Sequence, residues 1–212
     1  MVLTEILDPQ LELGTEPGIN PEISAEVEDA VKALLIAVGE DPSRDGLQGT
    51  PDRVAHMYGE LPAGYWLESD RVINGAMFDV EYDQMVVVKD IDFFSLCEHH
   101  MVPFFGKAAV GYLPRSRVIG LSKIPRIVEM FARRLQVQER LTQQVGQFLD
   151  EAISPRGIAV VVEGTDLCAA MRGIHKPGTR MVTSTMLGEF RESQTTRDEF
   201  MAHLRGGGEP FI

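Results

Sequence analysis

Three possible metal donors crowd into four residues at Cys97-Glu98-His99-His100. A thiolate and an imidazole at C-x-x-H spacing can reach one ion from a tight turn, and spacing alone leaves either His99 or His100 as the imidazole. The chain has one other cysteine, Cys168, far along the sequence. Two thiolates and an imidazole suit zinc better than magnesium or calcium. Three protein donors leave a fourth tetrahedral position for water, as in a catalytic rather than a structural zinc. Zinc in that state brings the pKa of a bound water down toward about 7. The plain alternative is a buried cysteine beside two surface histidines. Met1-Val2-Leu3-Thr4-Glu5 has no basic n-region, so no signal peptide is expected. The cysteines are accordingly read as reduced, cytoplasmic thiols rather than a disulfide.

A second chemistry is anion binding. Arg115 to Arg140 holds seven bases against two acids, and Leu167 to Gly188 holds Arg172, His175, Lys176 and Arg180 with no acid. In Gly120-Leu121-Ser122-Lys123-Ile124-Pro125-Arg126, Ser122 reads as an N-cap and Pro125 lies within the tolerated first turn. Lys123 and Arg126 then flank a helix N-terminus whose free N–H groups favour anions. The glycines of a Walker A loop are missing. Arg133, Arg134 and Arg140 fit a solvated helix face better than a ligand site. Gln138-Glu139 places an amide beside a carboxylate, a pair able to read the donor edge of a purine; an exposed helix start explains it equally well.

These groups must be positioned by helices and strands in a definite order. Pro21 to about Gly39 is an amphipathic helix with Ile23, Val27, Val31, Leu34 and Leu35 on one face, and Thr50-Pro51-Asp52 opens a second, to about Glu60. Met85–Val88, Ile91–Phe94, Gly106–Leu113 and Val118–Gly120 read as strands. Helices follow from Ser122 and from about Val137 to Ile153. Ile158–Val162 is a buried strand, with further strands at Leu167–Met171 and Met181–Met186. Helices, strands, two helices, strands indicate an α+β domain with a largely antiparallel sheet. Of 212 residues, 44% are hydrophobic, and none forms part of an apolar run long enough for a transmembrane helix. The net charge of −12 disfavours nucleic acid as a partner. Residues 1–31 hold eight acids and no base, so the remainder is close to neutral and free to hold a compact anion.

CEHHMVPFFGKAAVGYLP (97–114), VIGLSKIPRIVEMFARRLQVQERLTQQ (118–144), AMRG (170–173), TSTMLGEF (183–190) and TPDRVAHMY (50–58) together resemble GTP cyclohydrolase I, across roughly Pro21 to Arg205. The resemblance implies the tunnelling fold: a four-stranded antiparallel sheet with two helices on one face, plus N-terminal helices. Residues 1–20, with Pro9, Gly14, Pro17 and Gly18 among acids, read as an acidic flexible tail outside the resemblance, followed by a helical region at 21–75 and the tunnelling-fold catalytic domain at 76–212. The resemblance further implies a homodecamer of two pentamers with active sites between subunits. Cys97, His100 and Cys168 match zinc ligands, and His99 a catalytic histidine. Ser122, Lys123, Arg126 and Arg172 match triphosphate contacts, Arg53 an arginine from a neighbouring subunit, and Gln138 and Glu139 the guanine-recognition pair. The implied reaction is hydrolysis of GTP at guanine C8, ring opening, formate release and rearrangement to 7,8-dihydroneopterin triphosphate, the first step of folate and pterin synthesis.

One position departs from that pattern. The family usually carries a histidine two residues before its second zinc cysteine, and here it is Asp166. Histidine serves as acid and base near pH 7, whereas a carboxylate of reference pKa about 3.9 is mostly a base. Asp166 either replaces the histidine in the full reaction, stalls it at a ring-opened formamidopyrimidine, or marks a paralogue with a different product. Two rivals come from other classes. A zinc nucleobase deaminase needs a P-C-x-x-C that is absent. A non-catalytic zinc-stabilised nucleotide-binding module predicts a fourth protein ligand, for instance Asp166.

Overall fold

The computed structural model describes residues 21–205. The expected tail at 1–20 lies outside the described residues. The described residues divide into two compact units, one up to Trp66 and one from Leu67 onward.

In the first unit, helix α1 (Pro21–Ala37) and helix α2 (Thr50–Glu60) pack together, and a 3-10 turn covers Ala63–Tyr65. Pro51 sits in the first turn of α2, where a missing N–H costs nothing. Both helices match the periodicity of the sequence.

The second unit begins with a short helix α3 (Ser69–Ile73) and strand β1 (Met77–Asp79). Strand β2 (Val86–Cys97) and strand β3 (Pro103–Leu113) form an antiparallel hairpin. Strand β4 (Arg117–Ile119) pairs with β1. Then come helix α4 (Lys123–Ala132), a two-residue strand β5 (Leu135–Gln136) and helix α5 (Gln138–Ile153). Strand β6 (Gly157–Asp166), helix α6 (Leu167–Ala170), strand β7 (Met181–Gly188), helix α7 (Glu189–Glu192) and helix α8 (Gln194–Arg205) complete the order. The main sheet runs β5-β2-β3-β6-β7. Its four long strands are antiparallel, as expected for the α+β tunnelling layout; β5 adds a short parallel edge beside Cys97.

Period-two alternation explains why β6 reads as a continuous apolar run. Ile158, Val160 and Val162 face the core beneath α4 and α5, together with Val110 and Tyr112 of β3 and Leu141, Val145 and Leu149 of α5. Ala159 and Val161 face the opposite side, with Ala109 and Leu113. That second side is closed by Phe190 of α7 and Phe200 of α8, whose rings meet edge to face at 5.7 Å. The C-terminal helix pair thus covers part of the face opposite α4 and α5, an element that the sequence patterning leaves unread.

Gly111 makes the socket: a Cβ there would come within 2.7 Å of the Phe200 ring. Phe200 is 0% exposed. Replacing Phe200 with alanine is therefore expected to cost about 3–5 kcal/mol, read as a lower urea midpoint at unchanged slope. An effect below about 1 kcal/mol would show that α8 is not part of the cooperative unit.

Three local expectations need correction. The residues Leu167–Ala170 form a helix rather than a strand, because β6 ends at Asp166. The runs at Val86 and Ile91 are one strand, joined through an irregularity between Val88 and Ile91 in which Asp90 takes a φ of 59°. Ser122 stands before α4 but does not cap it with its side chain. Its backbone is already helical (φ −65°, ψ −16°), outside the extended region from which an N-cap oxygen reaches the next turn.

Candidate metal centre

Sheet register assembles the site. Leu96 of β2 pairs with Pro103 of β3, and Phe104 of β3 pairs with Asp166 of β6. The end of β2, the start of β3 and the end of β6 therefore lie at one edge of the sheet. Cys97 closes β2, and the next residues turn back on it: Met101 N–H donates to the Cys97 carbonyl at 2.7 Å and Cys97 N–H to the Val102 carbonyl at 2.9 Å. Met101 adopts a φ of 53° to complete this turn. Cys168 arrives from α6, directly after β6.

The Cys97 and Cys168 sulfurs are 4.0 Å apart, and His100 Nδ1 lies 3.7 Å from Cys97 Sγ. Zinc bonds of about 2.3 Å to sulfur and 2.0–2.1 Å to nitrogen predict tetrahedral edges of roughly 3.8 Å and 3.5 Å. The Cys97–Cys168 and Cys97–His100 separations therefore come within about 0.2 Å of those in a tetrahedral site. All three donor atoms lie within 4.8 Å of one another, and among the described residues no fourth histidine, cysteine or acid joins the group. Asp166 is not part of it. Burial, and after it the neighbouring Cys97, hold the Cys168 thiol above its usual value.

His99 is exposed beside this turn, its Nε2 3.7 Å from a Glu98 oxygen. Glu98 also receives both Arg140 guanidinium nitrogens, Nη1 at Oε2 and Nη2 at Oε1. Its backbone N–H donates to the Gln136 carbonyl at 2.9 Å. The Cys97–His100 turn is thus braced against the start of α5. Arg140, first read from its position in a basic stretch, has this local task. The sequence signal that finds the pair is a glutamate inside the metal motif matched by an arginine following Gln138-Glu139. Arg133 pairs with Glu129 at 2.8 Å, and Arg134 lies over the Phe131 ring.

The anion residues are arranged differently from the expectation of free helix amides. The Lys123 and Ile124 N–H groups donate to the Gly120 and Leu121 carbonyls at 2.9 and 3.4 Å, and Pro125 has no N–H. The Lys123 and Ile124 amides are therefore already spent within this turn. Lys123 is 7% exposed, while Ser122 is exposed and Arg126 half-buried. Arg172 is exposed in the segment after α6, and among the described residues neither it nor Arg126 forms an ion pair. Arg53 lies in the first unit, exposed on α2, where its Nη2 donates to Thr50 Oγ1 at 3.0 Å.

Glu139 is exposed in the first turn of α5, whereas Gln138 turns inward. Burial first, and then the Glu139 charge, hold the Asp166 carboxyl above the usual carboxylate range. Among the described residues no helix is long and apolar enough to cross a membrane.

A family model described as GTP cyclohydrolase I matches residues 27–205. A GTP cyclohydrolase 1 of Gloeobacter violaceus is 52% identical over 194 residues, covering 92% of this chain and 88% of that protein. One of Chlorobaculum tepidum is 53% identical over 180 residues, covering 85% and 80%. One of Drosophila melanogaster is 49% identical over 191 residues, covering 90% and 59%. A match that spans both units, includes the converging cysteines and histidine, and keeps about half its residues identical across bacterial and animal relatives places this chain in the GTP cyclohydrolase I family.

Proposed function

We propose that the protein hydrolyses GTP at guanine C8, opens the imidazole ring, releases formate and rearranges the product to 7,8-dihydroneopterin triphosphate. The observation that carries this reading is the convergence of Cys97, His100 and Cys168 at one sheet edge in a chain of this family. These three residues would hold zinc, which when bound supplies Lewis acidity and makes hydroxide available near neutral pH. Lys123, Arg126, Arg172 and Ser122 bind the triphosphate through charge and a hydroxyl, with Arg53 contributed by another copy in a decamer of two pentamers. Glu139, with Gln138 beside it, addresses the purine end. His99 and Asp166 carry protons at the reacting edge, His99 through its imidazole and Asp166 through a carboxyl held partly out of water. The proposed setting is the cytoplasm, with neither nucleic acid nor membrane as partner.

A second reading is kept because Asp166 stands where the family usually has histidine. It is an enzyme that stops at a ring-opened intermediate. A non-catalytic module draws less support, since Asp166 does not join the donor group. The experiment is GTP turnover by zinc-loaded protein, following formate and pterin fluorescence, beside Asp166→His. Formate and fluorescent pterin are expected in equimolar amounts from both proteins. Ring opening without formate or fluorescence, repaired in Asp166→His, would overturn the full reaction in favour of the stalled one.

A further inference from the structure

Gln138 is 3% exposed, and its amide nitrogen faces three acceptors: the Val162 carbonyl at 3.0 Å, the Met181 carbonyl at 3.0 Å and Thr183 Oγ1 at 3.1 Å. Thr142 Oγ1 lies 2.7 Å from the Gln138 backbone carbonyl and 2.6 Å from Thr183 Oγ1. Counting protons fixes both hydroxyl directions and leaves the two amide protons shared among three acceptors. The Gln138 carbonyl only accepts, so the Thr142 hydroxyl proton goes there. The contact between the two threonines must then use the Thr183 proton, and Thr183 oxygen is left to accept from the Gln138 amide. The circuit leaves Gln138 by its side chain and returns to it at its backbone. Reversing the amide would set a carbonyl oxygen against three acceptors, so the network also fixes the amide orientation.

The remaining atom, Gln138 Oε1, is buried without a donor. It lies against Gly164, where a Cβ would come within 2.5 Å of it. An orphan buried acceptor is a cost that an apolar side chain of the same shape would avoid. The amide has no proton left to donate and no surface through which to meet a ligand. What the arrangement does is tie the first turn of α5 to β6 and β7 at a defined height, and the next residue is the exposed Glu139.

We propose that Thr142 and Thr183 are positioning residues that act through the buried Gln138 amide to aim Glu139 at the purine, so that Gln138 holds the helix start rather than reading the base. This rests on the reading of Glu139 as a purine contact. Lost aim weakens ground-state and transition-state binding alike, so it raises KM more than it lowers kcat.

The test uses zinc-loaded, full-length protein and measures kcat and KM for GTP, zinc content and thermal midpoint. Thr183→Val, which removes the hydroxyl at nearly constant shape, is expected to raise KM about tenfold, with kcat within about threefold and zinc content unchanged. Thr183→Ser restores the wild-type KM. Adding Thr183→Val to Gln138→Met raises KM by no more than about twofold beyond Gln138→Met alone, as residues in one circuit are non-additive. Gly164→Ala presses on Oε1 without touching either hydroxyl, and gives the same KM rise if Thr183→Val does not fold. A normal KM in Thr183→Val alongside a raised KM in Gln138→Met would overturn the proposal, since Gln138 would then touch the base itself. Failure of serine to rescue would overturn it too. Wild-type protein that does not consume GTP would count against the proposed function instead, and is scored separately.

Discussion

Cys168→Ala protein is expected to lose zinc to a chelator and to turn over GTP at least about a thousandfold more slowly than the parent. The donor geometry sets the size of the effect. With three protein donors, each carries a large share of the affinity. In zinc-finger peptides, about 10–16 kcal/mol is spread over four ligands, roughly 3 kcal/mol each, or more than a hundredfold in affinity. Cys168 is also the donor delivered from outside the Cys97–His100 turn, so its loss leaves two ligands on one short segment. Dialysis against a chelator, followed by metal analysis and a GTP assay, checks both statements. Asp166→Asn is the matched control: the carboxylate lies two residues away but outside the donor group, so zinc content should be retained. Full zinc occupancy in Cys168→Ala would remove Cys168 from the site.

Gly106→Ala is expected to be among the most damaging single substitutions in the second unit. Gly106 faces Gly164 across the β3–β6 pair. A Cβ on Gly106 would lie 1.9 Å from the Glu163 carbonyl oxygen and 2.7 Å from Gly164 Cα. Those are backbone atoms in the middle of a ladder, not the ends of flexible side chains, so the strands themselves must part. The expected cost is about 3–5 kcal/mol, at the upper end for overpacking. That corresponds to a fall of roughly 10 °C or more in the calorimetric midpoint. Because β6 leads directly into Asp166 and Cys168, the same variant should also bind zinc more weakly. A midpoint within about 2 °C of wild type would show that the pair tolerates a wider gap than the geometry implies.

How far the fold could be read in advance depended on how each segment is buried. The helices α4 and α5 each turn an apolar side to the core and a polar side outward, so a 3.6-residue period survives in their sequences, and the limits of all four helices α1, α2, α4 and α5 follow within a residue or two. Helix α8 buries Phe200 and little else, and one residue makes no period. Leu167-Cys168-Ala169-Ala170 is too short and too uniformly small or apolar to distinguish strand from helix. The interruption at Lys89-Asp90 reads as a strand end, but a local irregularity absorbs it and the strand continues.

The site divides along a similar line. Donor types, the C-x-x-H spacing, the cluster of bases and the adjacent amide and carboxylate are local facts, and the sequence alone determines them, because side-chain chemistry and short-range reach need only residue identity. The long resemblance carried them further, to a family and a reaction. Only the tertiary structure decided that Cys168 comes within 4.0 Å of Cys97, through the register of three strands. Only it decided that the first amides of α4 are already bonded, and that Gln138 spends its donors inside the protein. The α4 bonds are set by a local turn, but the cysteine approach and the Gln138 contacts turn on which atoms the sheet brings face to face, and a one-residue slip in strand register, invisible in composition, would reverse those faces.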